Sequence, residues 1–219
     1  MSIALDPAKT GLLLVDYQNG FLSPEGRLAQ EGENVELMRA IIEPTKRLLE
    51  DCRQAGIVDF WSIQEHYAED KAREKHKVTP HLKKRKAPPC LHGTWETKII
   101  DELQGYLSDS SQVFVKNKWS CFFNTNLEFL LRRLDIDTLL VCGVSTCICV
   151  ETTVRDAYMR DYDVILVEEC TSHYDPEAHR ATLKFINRFA GMTATVEDVR
   201  RMLARHPQEV LAPASSARC

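Results

Sequence analysis

An α/β domain, with a largely parallel six-stranded sheet between two helical layers, is predicted by three features of the chain. Short continuously apolar runs read as strands buried on both faces. Segments with apolar residues at helical spacing separate them. No Pro-, Gly- or Ser-rich stretch divides the 219 residues, 44% of which are hydrophobic, so one domain over 1–219 with a core over about 9–203 is expected.

The first strand is the apolar run 11–15, which ends at Asp16-Tyr17-Gln18-Asn19-Gly20-Phe21. Over 35–55 the residues Leu37, Ile41, Ile42, Leu48 and Leu49 recur at helical spacing, and Gly56 closes this helix before a second strand at 57–61. A helix at 99–107, a third strand at 113–115 and a helix at 127–134 follow. The fourth strand, Thr138–Val144, leads through a tight turn into a helix that opens close to two thiols, Cys147 and Cys149. A fifth strand at 164–167, a helix starting near Pro176, a weak strand at 193–196 and a last helix to Leu203 complete the pattern.

Ligands of such sheets bind outside the carboxyl ends of the strands. Asp16 ends the first strand, Lys116 follows the third, and Cys149 stands one turn after the fourth. Singly, each has a bland reading: a turn aspartate, a solvated lysine, a small buried hydrophobe. Together, an acid, a cation and a thiol are the parts needed to activate a nucleophile and discharge an amine. At a helix start, the outward N–H groups and their dipoles are expected to lower the thiol pKa. Two residues along a helix start rotate a side chain by roughly 200°, so only one of Cys147 and Cys149 faces a pocket.

Composition narrows the partners. A net charge of -4 and a pI near 6.0 give no general reason to expect nucleic acid or a membrane surface. No apolar run approaches the roughly 20 residues that span a bilayer, and the first residues lack a signal-peptide pattern, so a cytoplasmic location is expected. The eight cysteines lie in apolar contexts without a C-x-x-C pair, which favours reduced thiols over disulfides or a structural zinc.

Four blocks resemble the isochorismatase-like cysteine hydrolases, a family that includes nicotinamidases, N-carbamoylsarcosine amidase, and ureidoacrylate and biuret amidohydrolases. They are Leu13-Leu14-Val15-Asp16-Tyr17-Gln18-Asn19-Gly20-Phe21, His92-Gly93-Thr94-Trp95, the run from Val115-Lys116-Asn117 to Thr125, and Gly143-Val144-Ser145-Thr146-Cys147-Ile148-Cys149-Val150-Glu151-Thr152-Thr153. The resemblance implies a three-layer fold and a catalytic triad of Asp16, Lys116 and Cys149. It places the nucleophile directly before a valine, at Cys149 rather than Cys147, and the lysine at Lys116 rather than Lys118. It also implies a cis peptide at Val144-Ser145, an oxyanion hole from the backbone N–H groups of Ser145 and Cys149, and a homodimer or homotetramer. The implied reaction cleaves a C–N bond of a small amide, carbamoyl or ureide substrate through a thioester. Alternatives are a nicotinamidase-type amidase, an isochorismatase-type hydrolase, or a binding protein of the same fold without turnover.

Nicotinamidases carry an aspartate and histidines for a metal after the second strand. Here Ser62-Ile63-Gln64-Glu65-His66-Tyr67-Ala68-Glu69-Asp70 has a lone histidine, so no metal and no cofactor are expected. A lone His66 in a polar loop reads first as solvated, with binding of substrate or metal as the alternative. Phe21 and Trp119 are expected as pocket walls, with Gln64 as a further substrate-binding candidate, while Trp61, inside a strand, reads as core. The basic residues Lys71, Arg73, Lys75, Lys77, Lys83, Lys84, Arg85 and Lys86, opposed only by Glu74, form either a solvated loop or a rim that draws in an anionic substrate.

Overall fold

The computed structural model describes residues 3–79 and 87–206. Six strands, β1 (Thr10–Val15), β2 (Val58–Gln64), β3 (Gln112–Lys116), β4 (Thr138–Val144), β5 (Asp163–Ser172) and β6 (Met192–Ala194), form one sheet in the order β3-β2-β1-β4-β5-β6. Every pairing is parallel. The central strands β1 and β4 are buried along nearly their whole length, which is why they read as unbroken apolar runs.

Alternation along each strand divides the core in two. Leu12 and Leu14 of β1, with Leu140 and Cys142 of β4, pack against α1 (Val35–Arg39), α2 (Ile42–Gln54) and the last helix. Leu13 and Val15, with Leu139 and Val141, face the opposite layer of α3 (Leu127–Arg133), α4 (Glu151–Tyr158) and α5 (Pro176–Phe189). Trp61 lies in the first of these cores, as expected of a strand residue.

The helix expected over 35–55 is two helices. Pro44 sits in the first turn of α2, where its missing N–H costs nothing, but its ring excludes the carbonyl four residues back, so a helix running through Ala40 cannot continue. The stretch expected to be helical over 99–107 is reduced to Asp101–Gln104. The weak strand expected at 193–196 is Met192–Ala194, because Thr195 instead caps α6 (Val196–Ala204) in a reciprocal bond with Asp198.

The strand order reverses direction between β1 and β4, which opens a crevice beyond their carboxyl ends. Gly143 lets the two strands meet there. Its φ is 119°, and a Cβ at this position would lie 2.1 Å from the Val15 carbonyl oxygen, so no side chain fits.

Candidate active site

Asp16 leaves β1 with a φ of 58°, a left-handed conformation that aspartate tolerates better than most residues. Its side chain is fully buried, next to Lys116 and Cys149. Ser62, opposite Val15 in the β1–β2 register, accepts from the Asp16 N–H at 3.1 Å and donates to Asp16 Oδ1 at 2.6 Å. Oδ2 pairs with Lys116 Nζ at 2.8 Å. Ser62 thus gives the two oxygens different partners, one held by the serine and one paired with the lysine. Sequence reasoning overlooked it, although a hydroxyl in the middle of a mostly buried strand is itself a signal.

Lys116, at the end of β3, is 1% exposed and sits opposite Gln64 in the β2–β3 register. Its ammonium donates to Gln64 Oε1 at 2.7 Å and to the Lys118 carbonyl at 3.1 Å, besides pairing with Asp16. An ammonium has three donors, so these partners occupy it. Burial alone would lower its pKa, but Asp16 and the nearby Cys149 reverse the effect and hold it above the usual lysine range. Gln64 lines the cavity, and its oxygen is committed to Lys116. Lys118 is exposed.

Beyond β4, the Val144-Ser145 peptide is cis. The Ser145 carbonyl then accepts from Ile148 N at 3.0 Å and Val150 N at 3.3 Å, winding Thr146–Val150 into a π-helical turn that runs into α4. Cys149 is buried within this turn and lines the crevice; Cys147 is partly exposed and does not. The lowered thiol pKa expected from a helix start is not found. Burial raises the Cys149 pKa, Lys116 opposes the rise, and the Asp16 carboxylate adds to it. The physical reason is that burial is the largest influence and that Asp16 acts against Lys116.

The crevice is a cavity of about 630 Å³. Its walls include Phe21, Trp119, Phe123, Ile148 and Tyr174, together with Val144, Ser145 and Cys149. Arg73, His76 and Lys118 bring positive or ionisable groups to the same cavity, with Asp70 among them. Within the basic stretch, Lys71 pairs with Glu74 at 3.0 Å, whereas Lys83, Lys84, Arg85 and Lys86 lie outside the described residues. His66 is not a solvated loop residue. It is half-buried on the cavity wall, and burial, with Arg73 and Lys116 nearby, pushes its pKa down to about 4. The local reason is a short backbone ladder in which His66 N donates to the Cys90 carbonyl and His92 N to the His66 carbonyl, drawing the loop inward.

Among the described residues, no group of three or more His, Cys, Asp or Glu side chains is placed to hold a metal ion, and no helix is long and apolar enough to cross a membrane.

Residues 10–198 match the model of the isochorismatase domain. Ureidoacrylate amidohydrolase RutB of Agrobacterium fabrum is 31% identical over 209 residues, covering 90% of each chain. The enzyme of the same name from Rhizobium rhizogenes is 30% identical, over 90% of this chain and 84% of the relative. Among solved structures, a cysteine hydrolase from Pseudomonas syringae pv. phaseolicola superposes with a TM-score of 0.78 at 25% identity, covering 91% of this chain and 94% of the other. N-carbamoylsarcosine amidase from Thermoplasma acidophilum gives 0.69 at 25% identity, covering 86% and 97%. With its parallel sheet, its crevice beyond β1 and β4 and a family model spanning most of its length, the chain belongs to the isochorismatase family.

Proposed function

We propose that this isochorismatase-family hydrolase, which acts on carbon–nitrogen bonds other than peptide bonds, cleaves a small carboxylate-bearing ureide, carbamoyl or amide compound through a thioester on Cys149. The observation that carries the reading is the pairing of a buried acid with a buried ammonium next to a buried thiol that lines the cavity. The names of the two RutB relatives support the ureide class. Arg73 and Lys118 at the cavity support a carboxylate at the far end of the substrate.

In this mechanism the resting thiol is protonated, in line with its raised pKa. Asp16 Oδ2 takes the thiol proton as sulfur attacks the carbonyl carbon, and the C–S bond forms. Lys116 keeps its proton throughout and balances the negative charge that moves between carboxylate and sulfur. The oxyanion is held by the backbone N–H groups of Ser145 and Cys149. When the C–N bond breaks, Asp16 returns its proton to the departing amine and the thioester remains. Water then attacks, giving one proton to Asp16, and that proton returns to the thiolate as the acid leaves.

A panel of ureidoacrylate, biuret, carbamoyl amino acids, maleamate and nicotinamide, assayed for ammonia, tests the reading. Ureido and carbamoyl acids should be turned over and nicotinamide slowly or not at all. A panel in which no compound releases ammonia faster than with Cys149→Ala would remove the proposal. A second expectation follows from the donor set: prolonged chelation should leave turnover unchanged, and loss of activity restored by one added metal would contradict it.

A further inference from the structure

Behind the turn that carries Cys149, a line of hydroxyls runs from α5 to the end of β4. His179 Nδ1 lies 2.9 Å from Thr146 Oγ1, Thr146 Oγ1 lies 2.9 Å from Thr171 Oγ1, and the Thr171 hydroxyl lies 2.8 Å from the Gly143 carbonyl. Thr146 and Thr171 are buried. Proton counting fixes the direction. A carbonyl only accepts, so Thr171 spends its single hydrogen on Gly143. The Thr146–Thr171 contact then requires the Thr146 hydrogen, and the contact with His179 requires an N–H at Nδ1. Reversing the line would leave two acceptors facing each other at 2.8 Å between Thr171 and Gly143.

We propose that His179, as its Nδ1–H tautomer, is a positioning residue that acts through Thr146 and Thr171 to hold the 143–149 turn in the shape that stabilises the oxyanion. This rests on the thioester reading above. The two ends of the line make the case: one is Gly143, whose conformation admits no side chain, and the other is α5, anchored by the Asp175 cap. Between them stand Ser145 and the turn bearing Cys149. His179 does not line the substrate cavity, so it acts on the reaction only through this backbone.

Two reagents separate oxyanion stabilisation from nucleophile reactivity in the full-length protein. Acylation by p-nitrophenyl acetate passes through an oxyanion, whereas alkylation by iodoacetamide needs only the thiolate. His179→Leu should slow acylation of Cys149 about tenfold, the scale of one lost buried hydrogen bond, and leave its alkylation within about twofold. His179→Asn, which keeps a donor at the Nδ1 position, should restore most of the rate, and Thr171→Val should resemble His179→Leu. A long-range ¹H–¹⁵N spectrum of the wild-type imidazoles should show a proton on Nδ1 of His179. Equal acylation rates in wild type and His179→Leu would overturn the assignment, as would a proton on Nε2 alone or a parallel fall in alkylation. A wild type that p-nitrophenyl acetate does not acylate at Cys149 would remove the thioester reading itself, and this inference with it.

Discussion

Cys149→Ala is expected to abolish ammonia release, while Cys147→Ala retains most of it. Both thiols stand in the same π-helical turn, but their surroundings differ. Cys149 opens onto the cavity and feels both Lys116 and Asp16. Cys147 feels neither; burial raises its pKa to about 11, its own backbone N–H opposes this, and the carboxylates of Glu151 and Asp175 add to it. Among the described residues, no cation lowers its pKa. Removing the nucleophile of a covalent mechanism leaves only what binding and the oxyanion site contribute, a residual near background. Peptide mass mapping after incubation with a slow amide would locate the adduct. An adduct on Cys147 with Cys149 untouched, or full turnover by Cys149→Ala, would sink the assignment.

The parts of the fold legible in the chain were those decided by burial. Strands β1, β4 and β5 lie in the middle of the sheet and announce themselves as apolar runs, so their positions and the parallel architecture follow. Helix ends were less legible where one residue decides. Pro44 splits the 35–55 segment, and Thr195 converts the end of an expected strand into the start of a helix.

The candidate site divides in the same way. Asp16, Lys116 and Cys149 were visible because each sits at a strand end or just beyond it, where topology brings residues together regardless of side-chain detail. Ser62 and the commitment of Gln64 to Lys116 depend on register between neighbouring strands, which hydrophobic pattern does not encode. The thiol pKa was misread for a related reason. A helix start and a lysine both argue for a low value, whereas burial and the carboxylate paired with that lysine both push the other way. His66 was undervalued because a polar loop sequence carries no sign of the backbone ladder that pulls it inward.

The raised thiol pKa changes what substitutions at the other two residues should do. Asp16→Asn keeps the size, tolerates the left-handed backbone at φ 58°, and still offers an acceptor to the Ser62 hydroxyl. It removes the base, so acylation should fall by about 10² to 10⁴, the range of general acid–base catalysis. The apparent pKa for alkylation of Cys149 should not rise, because the carboxylate that pushes it upward is gone. Lys116→Met acts with the opposite sign on the thiol. It removes a nearby charge that lowers the pKa, so alkylation should shift to higher pH, beyond the already raised wild-type value, and turnover should fall as well. Plotting alkylation rate against pH for the three proteins, beside their turnover, distinguishes a proton carrier from a charge holder. If Asp16→Asn retained wild-type turnover, or if Lys118→Met abolished activity while Lys116→Met left it intact, the division of labour would be wrong at the residue concerned.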